Sequence, residues 1–124
     1  MPDVFYNKTI TIWTRSIDGV WESENWTPHL VKNVRILVSK GYNIDKSGLR
    51  DANSCRVHIM DGVSDGLDFI PKADDYSFFT IGDSSGETPT ESDFFETLKT
   101  KYDAYRIDAV DRFELIPHYE IWGR

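Results

Sequence analysis

A single cysteine, Cys55, stands among the 124 residues of this chain. Without a second thiol no internal disulfide can form, and such usage fits a reducing compartment. Cys55 sits on an alternating apolar face, which makes it a small buried hydrophobe rather than a nucleophile. Basic residues are also scarce: 14 Lys and Arg against 21 Asp and Glu give a formal charge of −7. An acidic surface repels phosphate, which argues against sequence-independent nucleic-acid binding and against anionic membranes. No stretch approaches the ~20 apolar residues that a membrane-spanning helix needs. The opening M-P-D-V-F-Y-N has neither the basic residues nor the apolar run of a signal peptide or anchor. Internal repeats, low-complexity tracts and linkers are missing as well.

Motifs that carry chemistry are equally sparse. His29, His58 and His118 lie on three separate elements, and this reading finds no Cys, His or Glu at ligand spacing on the same face. His58 and His118 are expected to face solvent. Asp61-Gly62-Val63-Ser64-Asp65-Gly66 lacks the ligand series and terminal bidentate Glu of a calcium loop, and reads as Asp-Gly turns. Ser84-Ser85-Gly86 is no nucleophile elbow, and Ile81-Gly82-Asp83 lacks the glycines and lysine of a phosphate loop. The expectation is therefore a non-enzymatic protein with no catalytic residues, no metal site and no cofactor.

What the chain does have is strand pattern. Hydrophobic residues make up 40% and aromatics 14%, enough apolar mass for one domain of this length to fold without staples. Ile10 and Ile12 alternate with Thr9, Thr11 and Trp13. After turn chemistry at Ser16–Gly19, Val20 to Trp26 returns as a second strand, with Trp13, Trp21 and Trp26 able to stack across the pair. Thr27-Pro28-His29 reads as a break. Val34, Ile36 and Val38 then alternate in the longest strand signal, up to Ser39, and Leu37 on the other face implies partial cover there. Lys40 to Asn53 is rich in polar and turn-forming residues and reads as a long loop, a feature that tends to be functional or disordered. Cys55, Val57 and Ile59 point inward from the next strand. Tyr76 to Ile81 is apolar on both faces, as in a covered strand.

Capping residues, a proline and acids at Thr88–Asp93 precede Phe94, Phe95, Leu98 and Tyr102 at helical spacing, which predicts one helix over about 90–102. A closing hairpin follows. Tyr105, Ile107 and Ala109 alternate along its first strand, Tyr119 and Ile121 along its second, and Asp111 to Pro117 connects them. The reading is mainly β: a small antiparallel β-barrel or sandwich with one α-helix, as a single domain 1–124. Its core is expected to hold Ile10, Ile12, Val34, Ile36, Val38, Val57, Ile59, Phe78, Ile107, Tyr119 and Ile121.

The order of these features resembles the head–tail joining proteins of long-tailed bacteriophages, the connector or stopper group that includes short structural proteins labelled minor capsid proteins. The similarity covers most of the chain. It rests on the strands at Lys8–Arg15, Val20–Trp26, Val31–Ser39 and Cys55–Met60, and on two endings. These read Tyr105-Arg106-Ile107-Asp108-Ala109-Val110-Asp111 and His118-Tyr119-Glu120-Ile121-Trp122-Gly123. The chain departs from the pattern between Ile81 and Tyr102, where relatives run almost directly into the closing hairpin. The resemblance implies a virion structural protein, assembled in the bacterial host cytoplasm as a homo-oligomeric ring between portal and tail. Its partners would be portal or adaptor and tail proteins, and DNA would pass through the ring without specific binding. Tyr42, Ile44, Lys46, Leu49 and Arg50 on the long loop, together with Trp122, are the candidate contacts. The loop is expected to be mobile or contact-stabilised alone and ordered on a neighbour. An alternative of another class stays open: a ligand-binding or enzymatic β-barrel with an aromatic-lined interior.

Overall fold

The computed structural model describes residues 6–17, 24–39, 42–45, 48–51, 54–73, 76–89 and 94–124, the side chains of residues 16, 17, 24, 39, 42–45 and 48–51 excepted. Its strands are β1 (Lys8–Ile17), β2 (Glu24–Ser39), β3 (Tyr42–Asp45), β4 (Gly48–Asp51), β5 (Ser54–Met60), β6 (Phe78–Ile81), β7 (Ala104–Phe113) and β8 (His118–Gly123), with one helix, α1 (Phe94–Lys99). Six strands hydrogen-bond in the order β1-β2-β5-β8-β7-β6 and close in a small ring, every neighbouring pair antiparallel. The mainly β, antiparallel fold with one short helix is thus the one the alternation predicts.

Two long strands close the ring by serving two sheets each. Residues 24–34 of β2 pair with β1, whereas Arg35–Ser39 pair with β5. The change of partner falls at Asn33, which has a φ of 58° and is skipped in the register between Lys32 and Val34. A residue in the left-handed region inside a strand is the mark of a bulge, and Asn tolerates that conformation better than most residues. In β7, Ala104–Arg106 pair with β6 and the rest with β8, with a second register shift between Ile107 and Ala109.

The β2 bulge is held from outside by the turn after β5. Lys32 and Asp65 exchange backbone hydrogen bonds of 2.8 and 3.0 Å, and the Ser64 hydroxyl donates to the Asn33 carbonyl at 2.6 Å. At Gly66, where φ is +99°, a Cβ would collide with the Leu30 carbonyl, so only glycine fits there.

The ring has an inner and an outer apolar layer. Inside, Ile10, Ile12, Val31, Val34, Cys55, Val57, Ile59, Phe79, Tyr105, Ile107 and Ile121 form a single buried cluster. Outside, α1 covers β1 and β6: Trp13, Phe78, Phe94, Phe95, Leu98 and Ala104 form a second cluster, with the Phe94 ring edge-on to Trp13 at 4.8 Å. Period-two alternation sends Ile12 and Phe79 inward and Trp13 and Phe78 under the helix, which explains why Tyr76–Ile81 reads as covered on both faces. Around Ser84 the polar groups under this lid are paired, whereas the buried Trp26 Nε1 has no hydrogen-bond partner among the described residues. Trp13 Nε1 donates to Ser84 Oγ at 2.9 Å, Thr80 Oγ1 meets the same oxygen at 2.6 Å, and the Ser84 amide donates to Thr11 Oγ1.

Several sequence expectations need correction. Thr27-Pro28-His29 does not break the chain, because β2 runs through it. Pro28 is tolerated because this half of β2 has a strand partner on one side only, leaving no ladder bond for its missing N–H to make. Lys40–Asn53 is not a plain loop: its backbone contains a hairpin, β3 with β4, in its own two-stranded sheet. Alternation of Tyr42 and Ile44 with Asn43 and Asp45 was the available signal. The helix is shorter than 90–102, and residues 90–93 lie outside the described residues. Past Lys99 it tightens into a turn, with Thr100 Oγ1 on the Thr97 carbonyl and the Lys101 and Tyr102 amides both on the Leu98 carbonyl.

In the core, Ile36 and Tyr119 are partly buried against the inner cluster, but Val38 is 39% exposed. It lies past the point where β1 flanks β2, so its row has no lid. The bulge near Asp108 shifts the β7 register by one. Ala109 therefore pairs with Trp122 on the outer face, and Val110 packs inward instead. Of the predicted tryptophan stack, Trp13 and Trp26 meet through Phe78 and Phe94, and Trp21 lies outside the described residues.

Candidate assembly surface

Among the described residues the most exposed large apolar side chain, Leu115, lies on the β7–β8 connection, while Ile70 at 68% and Tyr76 at 47% are exposed elsewhere. Leu115 is 97% and Ile116 62% exposed, and Phe113 beside them is 42% exposed. A hairpin turn does not call for apolar residues, so two in succession at its tip are uncompensated in the isolated chain. In sequence, Asp111–Pro117 reads only as a connector. The available signal is Leu115-Ile116 itself, two aliphatics in a segment with no core to face.

The tip stands on an ordered base. Arg112 forms two hydrogen bonds to Asp61, 2.9 and 2.7 Å, one of 3.3 Å to Glu114, and its guanidinium lies 4.6 Å from the Tyr119 ring centre. The same guanidinium holds the Asp61 carboxyl below its usual range. These residues, with Ile59, Met60, Leu67 and Phe69, line a cleft of about 670 Å³. Its main cation is already paired, so the cleft offers no spare positive charge to an anionic ligand.

On the other side of the hairpin, Phe113 and His118 stack at 4.7 Å, and His118 Nδ1 lies 2.7 Å from the Ile116 carbonyl. Since a carbonyl only accepts, Nδ1 is the donor. His118 Nε2 reaches Glu120 Oε2 at 3.3 Å, while His58 Nε2 lies 3.1 Å from Oε1 without hydrogen-bond alignment. Both imidazoles are 16% exposed and the carboxylate 14%. The expectation of solvent-facing histidines is therefore wrong, as is the reading that no acid shares their face. The i, i+2 spacing of His118 and Glu120 puts them on one face of β8, and Glu120 is the cross-strand partner of His58. Burial lowers the His58 pKa more than Glu120 raises it. Among the described residues no group of three His, Cys, Asp or Glu is arranged to hold a metal ion.

Of the contact residues taken from sequence, Trp122 is 38% exposed on the outer face of β8, under the Arg56 guanidinium at 4.9 Å. It flanks a groove of about 540 Å³ shared with Ile36, Leu37, Val38 and Cys55. Tyr42 and Ile44 fall on β3 and Leu49 and Arg50 on β4, with their side chains outside the description; Lys46 lies outside the described residues. No described helix is long and apolar enough to cross a membrane.

Comparison with curated proteins and with solved structures finds no match. A family model does match, over residues 5–124, and the chain belongs to that family of unknown function, DUF6751.

Proposed function

We propose that this chain is a non-enzymatic structural protein of a phage virion, assembled as a homo-oligomeric ring at the head–tail junction. The observation that carries the reading is the contrast between a filled interior and an uncovered tip. Isoleucine, valine and aromatic side chains occupy the centre of the ring, where a ligand-binding barrel would keep a cavity. Three exposed apolar side chains, Phe113, Leu115 and Ile116, gather on the β7–β8 hairpin, where a neighbouring subunit would bury them. The two endings that resemble the joining proteins, Tyr105–Asp111 and His118–Gly123, are the strands that present this tip. An acidic chain at −7 also suits a channel wall past which DNA slides without sticking. The β3–β4 hairpin is the second element offered to portal or tail partners.

Gene context and a knockout test the reading. The gene is expected to lie between portal and major capsid genes on one side and tail genes on the other. Its loss should leave DNA-filled heads and free tails that do not join. Normal virions in the knockout would refute the proposal.

A further inference from the structure

We propose that the β7–β8 tip of one copy seats in the Trp122 groove of the next, a head-to-tail contact between identical chains; this rests on the ring reading above. Tip and groove lie at opposite ends of β8. His118 starts that strand beside the tip, and Trp122, four residues on, borders the groove, roughly 13 Å along the strand. The tip extends beyond the far end, so a chain cannot fill its own groove with it.

The two surfaces match in kind. Leu115 and Ile116 are aliphatic, and the groove is walled by Ile36, Val38, Cys55 and the Trp122 ring. They also match in charge. Glu114 on the tip is 79% exposed, with one 3.3 Å contact to Arg112, and Asp111 below it is exposed too; Arg56, the one charged residue lining the groove, is partly exposed above Trp122 and held only by a 3.8 Å ion pair with Glu120. The cleft at the base of the tip is a poorer acceptor, because its Arg112 is held by three hydrogen bonds of 2.7 to 3.3 Å to Asp61 and Glu114, against the single 3.8 Å ion pair of Arg56. Donor and acceptor patches differ, so the contact is heterologous. Such contacts add copies in one direction and close when the rotation per copy divides a full turn.

Paired cysteines read this directly. Leu115→Cys and Val38→Cys, mixed as single variants and oxidised at the highest soluble concentration, should cross-link into heterodimers and stop there. All variants are made on Cys55→Ser, since Cys55 is the cross-strand partner of Val38 and walls the same groove; the double variant should give a ladder of covalent oligomers, while the Cys55→Ser parent gives no covalent product. Adding Arg56→Glu should weaken the ladder about tenfold, and Glu114→Arg in the same chain should restore it. Leu115→Cys homodimers as the main product, a double variant that remains monomeric, or failed charge restoration would each overturn the contact. Phage carrying Leu115→Glu separates the two proposals. Lost joining without a ladder removes this contact but keeps the junction role, whereas normal joining removes the tip from both.

Discussion

At the residue scale, Gly123 shows how little spare room the ring has. A Cβ there would lie 2.7 Å from a Phe79 ring atom and 2.8 Å from the Tyr105 Cβ. Both rings are buried in the inner cluster and stack on each other, so neither can step aside. Gly123→Ala should cost about 1–3 kcal/mol, read as a lower urea midpoint with an unchanged slope. His58 gives a prediction of the opposite kind, through pH. Its folded pKa lies below the ordinary 6.5, mainly from burial. The unfolded chain therefore takes up this proton first, and stability present above 6.5 is lost as pH falls through the folded value. The urea midpoint of the wild type should drop between about pH 7.5 and 5.5 more than that of His58→Gln. Equal drops would show that the Glu120 carboxylate offsets the burial, and a smaller drop in the wild type that it outweighs it.

At the scale of elements, the corner in β2 depends on one left-handed residue. Asn33→Gly should keep the fold, whereas Asn33→Ala should be about 1–2 kcal/mol less stable than the glycine variant, measured by the same unfolding. Strands were the legible part of this chain because alternation is local: Ile10 and Ile12, Val57 and Ile59, and Phe78 and Phe79 each declare their faces without reference to anything distant. Where strands bend was not legible. Nothing near Asn33 marks a bulge, because it is the turn at Ser64–Asp65, thirty residues on, that holds it. Asp108 likewise moves Ala109 outward by a register shift that periodicity cannot foresee. The candidate surface was half legible. Trp122 is a contact that the resemblance names, but Leu115 and Ile116 read as connector because turns are read by glycine and proline, not by what they expose.

At the scale of the whole molecule, the ring joins distant parts of the chain. β1 pairs both with its sequence neighbour β2 and with β6, some seventy residues away. Closure must therefore wait for non-local contacts, which slow folding relative to helical domains of this size. Cys55 turns that closure into something that can be timed. It is the only cysteine, buried in the inner cluster, and burial with the nearby Asp103 pushes its thiol pKa up to about 12. At neutral pH the closed protein presents almost no thiolate to an alkylating reagent. Each modification event then records one opening of the wall formed by β2, β5 and β8, so the labelling rate is a clock for breathing at that seam. Assembly that fills the adjoining groove should slow the clock, and an unchanged rate in assembled protein would show that the seam opens freely behind its neighbour.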